Sequence, residues 1–306
     1  MDETCPLCGQ PEGHFEPHKV QISSLQPVPS PPFIDVDGLY NFRDFGGYPL
    51  AGQAKKAVRE GILYRSADPS KITTRGLSEL QQLRVSRIVD LRSTTEIGES
   101  VEKGWGKVWA WEEIPRVQTA VFTDADVTSG QRARRDRNLR NGSIEGFFEY
   151  YEQVLDAATS PQNPYQPLKT ILQHLATPKP SRLEPTLIHC SLGKDRTGVI
   201  CALILSLCGV ENVVVAQEYA LTALGIQEKV AQIIQEIRPN GPGITKEEES
   251  FFSARKEAMQ AFLERAGRNG GLERRVLESR ILTAVQLQQL RDNLVVDVPL
   301  SDSIVE

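Results

Sequence analysis

Two side chains of complementary chemistry open the reading: Cys190, a nucleophile, and Arg196, a cation with a planar fork. Five residues separate them in the segment His189-Cys-Ser-Leu-Gly-Lys-Asp-Arg-Thr-Gly198. A guanidinium can hold two oxygens of a tetrahedral phosphate at once. A tight loop that ends at a helix N-terminus aims successive backbone N–H groups inward, and these donors add to the helix dipole as an anion cradle. Gly193 permits the sharp backbone path. A positive environment of this kind favours thiolate over thiol, and a thiolate beneath a bound phosphate can attack phosphorus in line.

The loop must be held by the elements on either side of it. Pro185-Thr-Leu-Ile-His189 reads as a strand, and Arg196 to Cys208 as an apolar helix. A phosphate-binding loop of the Gly-x-x-x-x-Gly-Lys-Ser/Thr type is excluded. Ile188 stands at its first glycine position and Asp195 follows the lysine. A thiol protease would need a base supplied by the fold, with His174 or His189 as the candidates. The plainest alternative makes Cys190 a buried core residue, which is the reading for Cys201 and Cys208.

Stepping outward, strand-like and helical patterns alternate. Ile62-Leu63-Tyr64 and Arg87 to Leu91 read as strands, and Trp109 to Val117 as another. Leu77, Leu80 and Leu83 share one face of a helix over Thr74–Leu83. Ser93 and Glu96 have capping-box spacing for the helix that follows. Ile144–Ala158 is aromatic-rich and helical. Phe251–Ala266 and Thr283–Leu294 are amphipathic. Residues 123–142 read as a polar, loop-like stretch with Arg132, Arg134, Arg135, Arg137 and Arg140, either a solvated face or a rim that attracts anions. The pattern implies an α/β fold: a central sheet flanked by helices, with a largely helical C-terminal half. No internal repeat is visible.

The chain has 306 residues, 40% apolar and 25% charged, enough for a sizeable core. Its formal net charge of −5 argues against broad capture of nucleic acid. The longest apolar run, Val199 to Val210, is too short to span a bilayer. A polar N-terminus and five cysteines give neither a leader nor a disulfide framework, so a cytoplasmic protein is expected. Residues 1–32 are expected to be a flexible segment, because Pro27, Pro29, Pro31 and Pro32 favour extended chain. Cys5, Cys8, His14 and His18 in that segment are zinc ligands by type, although the gap from Cys8 to His14 is short for a finger. The folded domain is expected over 33–297, with an acidic tail over 298–306.

The loop resembles the signature of the protein-tyrosine phosphatase superfamily. Lys194 and Asp195 within it resemble, more narrowly, the microbial tyrosine/serine phosphatases. Asn41-Phe-Arg-Asp-Phe-Gly-Gly47, Leu63-Tyr-Arg-Ser-Ala67 and Val89-Asp-Leu-Arg-Ser93 with Glu96 are similar to that group's other motifs, as is Arg255–Gly271 with its Glu257-Ala-Met259 and Gly270-Gly271. Together these cover about residues 33–295. Leu192 departs from the alanine often found in related loops.

The resemblance implies a phosphomonoesterase that works through a cysteinyl-phosphate and needs no cofactor. Its substrates would be phosphotyrosine proteins, extending to phosphoserine/threonine or phosphoinositides. Cys190 is then the nucleophile and Arg196 the clamp. Ser191, Leu192, Gly193 and Lys194 form the cradle, and Thr197 stabilises the departing thiolate. Lys194 would add positive charge at the phosphate. Asp195 is the first candidate for general acid, followed by Asp90 and then by Asp124 or Asp126, because no Trp-Pro-Asp lid sequence is present. Arg43, Asp44 and Arg65 read as structural ion pairs, with Arg65 facing the pocket as an alternative. Two rival functions remain: a catalytically inactive pseudophosphatase that binds phospholigands, and a sulfur-transfer enzyme. The five-residue spacing disfavours the second, since sulfur-transfer loops usually have four.

Overall fold

The computed structural model describes residues 26–104, 111–112, 114–127, 129–178, 183–239, 243–268 and 271–298. Its centre is a five-stranded sheet of β1 (Arg43–Asp44), β4 (Leu63–Ser66), β7 (Thr186–His189), β5 (Arg87–Asp90) and β6 (Arg116–Gln118), in that spatial order. β4, β7, β5 and β6 run parallel, and β1 joins antiparallel. Parallel strands covered on both faces are apolar along their length. β7 and β4 are buried throughout. Because β7 is the middle strand, its carboxyl end opens where ligands bind in parallel sheets.

Behind β7 follows α6 (Asp195–Cys208), with twelve of its residues buried. Such an all-round apolar helix must lie inside a larger helical layer. That layer is supplied by α4 (Ile144–Thr159), α7 (Asn212–Ala220), α11 (Gly271–Glu278) and α12 (Ala284–Leu294). α10 (Lys256–Ala266) packs on α4 and α7. α1 (Thr74–Gln82) follows β4, and α2 (Thr94–Glu102) follows β5 with the expected capping box between Ser93 and Glu96. A second sheet of β2 (Pro49–Leu50), β3 (Gln53–Val58) and β8 (Val295–Asp297) joins the two ends of the domain by pairing Val58 with Val295.

Three expectations need correction. Residues 123–142 are not a loop: they form a 3-10 turn, Asp124–Val127, then α3 (Ser129–Arg140). The helix went unread because its apolar residues make no stripe. Phe251–Ala266 is not one helix. α9 (Lys246–Phe252) ends before α10 begins, with Ser253 and Arg255 in extended conformation at the break. The strand expected over 109–117 is the shorter β6, and residues 105–110 and 113 lie outside the described residues. Folded contacts also begin before residue 33, since the Gln26 N–H donates to Gln227 Oε1 at 3.0 Å on α8 (Thr222–Ile237). No described helix is long and apolar enough to cross a membrane.

Candidate active site

Cys190 is the first residue after β7, and the loop 190–194 carries the chain into α6. Gly193 turns it with φ of +64°; a Cβ there would stand 2.0 Å from the carbonyl oxygen of Ser66, so only glycine fits. The first turn of α6 has no side-chain cap. Its leading N–H groups therefore face the loop without a side-chain partner, which is the arrangement an oxyanion requires.

Cys190, Ser191, Leu192, Lys194, Asp195 and Arg196 all line one cavity of about 400 Å³. Cys190 is 3% exposed. Phe122, from the connection after β6, and Leu139, Tyr150 and Phe251, from helices above the sheet, give the cavity apolar walls. Arg196 is set by two contacts: Nη1 donates to Glu96 Oε2 at 2.7 Å, and Nη2 to Ser191 Oγ at 3.3 Å. Glu96 is half-buried, and the loss of water around it would raise its carboxyl pKa. The Arg196 charge and hydrogen bond, with the Ser93 N–H, more than reverse this and hold it ionised. Thr197 Oγ1 is buried and has no hydrogen-bond partner among the described residues.

The four candidate acids separate clearly. Asp195 opens α6; burial raises its carboxyl pKa, opposed by Lys194 at 3.4 Å and by a Tyr219 hydroxyl that donates at 3.4 Å. Tyr219 in turn shares a 2.6 Å hydrogen bond with Tyr151. Its ring fits because Gly198 carries no Cβ, which would come within 2.6 Å of it. Asp90, by contrast, is fully buried under Arg92 at 2.8 Å and Arg116 at 2.9 Å. Burial alone would raise its pKa, but His189 and these arginines drive it far below the ordinary range. Asp124 accepts the Thr95 N–H at 2.9 Å at the start of α2, and Asp126 accepts the Thr123 N–H and hydroxyl. Neither Asp90, Asp124 nor Asp126 lines the cavity.

Lys194 lines the cavity and is also held by the protein. Its ammonium donates to the backbone carbonyls of Phe251 and, at 2.9 Å, of Ser253, and lies 3.4 Å from Asp195. The cation thus joins the loop to the α9–α10 junction. Burial lowers its pKa, opposed by Asp195. His189 is buried, with Nδ1 3.1 Å from the Cys190 carbonyl, and His174 contacts Thr186. Neither histidine lines the cavity, so a thiol–imidazole pair is not formed there.

Beneath the loop lies a second set of charges. Arg43 donates to Glu218 Oε1 at 2.8 Å, and Arg65 to Glu218 Oε2 at 2.6 Å. Arg65 also donates to the Gly193 carbonyl at 2.8 Å, and Asn41 to the carbonyls of Leu192 and Gly193, each at 3.1 Å. Arg43 and Arg65 are therefore structural, and Arg65 reaches the loop from below. Asp44 accepts the N–H groups of Gly46 and Gly61 and so ties a turn rather than an arginine.

Glu218 was not visible as a site residue: it sits on α7 as one charge in an otherwise ordinary helix. Glu96 is legible in the sequence as a helix cap and as part of a family-like motif, but nothing there marks Arg196, 100 residues away, as its partner. Cys5, Cys8, His14 and His18 lie outside the described residues. Among the described residues, no group of three or more His, Cys, Asp or Glu could hold a metal ion.

The chain is similar to known phosphatases. A protein of Cupriavidus necator named as a tyrosine-protein phosphatase is 29% identical over 174 residues, 57% of each chain. The triple specificity protein phosphatase PtpB of Mycobacterium tuberculosis is 27% identical over 218 residues, 67% of this chain and 74% of the relative. A tyrosine-protein phosphatase of Nostoc commune is 38% identical over 167 residues, 55% of this chain and 50% of the relative. The chain thus spans between half and three quarters of the length of these relatives. The tyrosine phosphatase family profile matches residues 34–296, nearly the whole described domain, and the chain belongs to that family.

Proposed function

We propose that the protein hydrolyses phosphomonoesters through a cysteinyl-phosphate on Cys190, with phosphotyrosine as the principal substrate. The observation that carries this reading is the shared cavity: the thiol of Cys190, the fork of Arg196 and the uncapped turn of α6 meet at one point. The Cys190 sulfur attacks phosphorus, forming the S–P bond as the ester P–O bond breaks. Arg196 and the loop N–H groups hold the non-bridging oxygens, where charge must be stabilised. Asp195 gives its proton to the leaving oxygen. A water, deprotonated by the same carboxylate, then attacks phosphorus and frees the thiolate, with the unpartnered Thr197 hydroxyl available to stabilise it.

Asp195 is the acid because burial raises its pKa and because it is in the cavity. The aromatic and aliphatic walls suit the ring of phosphotyrosine. The Mycobacterium relative is named for triple specificity, which supports extending the substrates to phosphoserine/threonine and phosphoinositides. Turnover of p-nitrophenyl phosphate, blocked by vanadate and lost in Cys190→Ser, is the expected result. Undiminished turnover in Cys190→Ser would overturn the reading.

A further inference from the structure

Five arginines are buried among the described residues: Arg43, Arg65, Arg92, Arg135 and Arg196. Four have a carboxylate within ion-pair distance. Arg43 and Arg65 share Glu218, Arg92 has Asp90 and Asp68, and Arg196 has Glu96. Arg135 makes no ion pair with any described residue. It is 8% exposed, its Nη2 donates to the backbone carbonyl of Asp126 at 2.7 Å, and its guanidinium lies 4.1 Å from the centroid of the Phe122 ring. One neutral acceptor and one ring do not offset a buried positive charge, because buried charges are ordinarily paired.

Arg135 also lines the cavity that holds Cys190 and Arg196. Burial lowers its pKa and Arg196 adds to this by repulsion across the site; Tyr150, Asp126 and Glu96 oppose them without reversing the shift. An anion between or beside them would relieve both costs. Helix α3 presents the group by its periodicity: Arg132, Arg135, Asp136, Leu139 and Arg140 fall on the cavity side, while Arg134 and Arg137 are exposed. Arg132 is already spent on Glu99 at 2.7 Å, which leaves Arg135 as the open buried cation.

We infer that Arg135 is a second anion subsite. It would take a phosphate or carboxylate carried on the same substrate as the phosphoester cleaved at Cys190, so that doubly anionic phosphomonoesters are preferred. This rests on the proposed phosphatase reading, and binding separates the two. With the full chain, calorimetry compares methylphosphonate with bisphosphonates bearing one to three methylenes, and with phosphonoacetate as the carboxylate arm. At least one doubly anionic probe binds tenfold or more tighter than methylphosphonate, and Arg135→Gln removes roughly 10- to 100-fold of that preference. Whether phosphate or carboxylate is the natural second group follows from which arm wins.

Turnover supplies a second readout. Arg135→Gln and Arg135→Lys are compared on phenyl phosphate and on phenylene bisphosphate. The loss in kcat/KM is at least tenfold larger for the bisphosphate and appears in KM, with Lys intermediate. Equal losses on both substrates would make Arg135 a prop for Phe122 and the Asp126 turn, and would overturn the subsite. So would wild-type binding with no preference among the probes, which requires no variant to fold. If no phosphoester turns over at all, the catalytic reading fails while the binding comparison still decides the subsite.

Discussion

Arginine serves two purposes on opposite sides of one loop. Below it, Arg43 and Arg65 enclose Glu218, fully buried, and Arg65 supports the Gly193 carbonyl of the loop. Above it, Arg196 and Arg135 face a cavity; Glu96 pairs with Arg196, while Arg135 forms no ion pair among the described residues. The lower set has its acceptors inside the protein and shapes the backbone. The upper set borders space a ligand can fill. Neither residue type nor the count of carboxylates, one to each pair, separates structural from functional arginine here; what differs is that Arg135 and Arg196 border the cavity while Arg43 and Arg65 do not.

The sharpest break in this comparison is Arg196→Ala. It should lower kcat/KM for an aryl phosphate by roughly 10³- to 10⁵-fold, the range for an arginine that stabilises a transferring phosphoryl group. Thermal unfolding should show the domain still folded. A variant that keeps activity within tenfold would put Arg196 outside the chemistry.

Next in size is Asp195→Asn, with an expected loss of roughly 10²- to 10⁴-fold for a poor leaving group such as phenol and a smaller loss for p-nitrophenol. The acid must be protonated to act. Because burial raises the Asp195 pKa, wild-type turnover should persist above the ordinary carboxylate range and fall as pH rises through that raised value. The alkaline limb should vanish in Asp195→Asn. An unchanged profile assigns the limb to another group.

The lower set answers to stability. Glu218→Gln leaves two buried guanidiniums short of their carboxylate and should cost about 3–5 kcal/mol by denaturant unfolding, the usual penalty for breaking a buried pair. A cost below about 1 kcal/mol would show that the two arginines need no counter-charge.

These two sets also differ in how well the sequence announces them. Cys190, Gly193, Asp195 and Arg196 are contiguous, so spacing alone reveals a cradle between strand and helix. Glu218 reaches Arg43 and Arg65 across more than 150 residues, and only the fold makes them neighbours. The strands β4, β5 and β7 were legible because buried parallel strands are short apolar runs. β3 was not, because Gln53-Ala-Lys-Lys-Ala-Val58 is half polar, without strict alternation, and finds its partner β8 near the other end of the domain. α3 was missed for want of an apolar stripe; the face it turns to the cavity is largely charged. The break between α9 and α10 interrupts a continuous periodic pattern, and Lys194 holds it from outside by taking the Phe251 and Ser253 carbonyls.

The smallest effect is set by Asp68, which joins the cavity wall to α8 through Lys229 at 3.1 Å and also meets Arg92. Burial would raise its pKa, yet Lys229 and Arg92 bring it from 3.8 to about 2. A depressed carboxyl stabilises the fold above its unfolded value and loses that contribution as pH falls through the folded one. About 2 kcal/mol should therefore disappear between about pH 4 and pH 2. Asp68→Asn should flatten unfolding free energy across that window. An equally steep acid limb in the variant would place the loss elsewhere.

The most direct measurement of the central claim is to trap the intermediate. Wild-type protein is mixed with an aryl phosphate, quenched within one turnover and read by peptide mass spectrometry. One phosphoryl group should appear on the peptide containing Cys190, and none in Cys190→Ser. Rapid turnover with no phosphoryl group on that peptide, or with the group on another residue, would contradict the account.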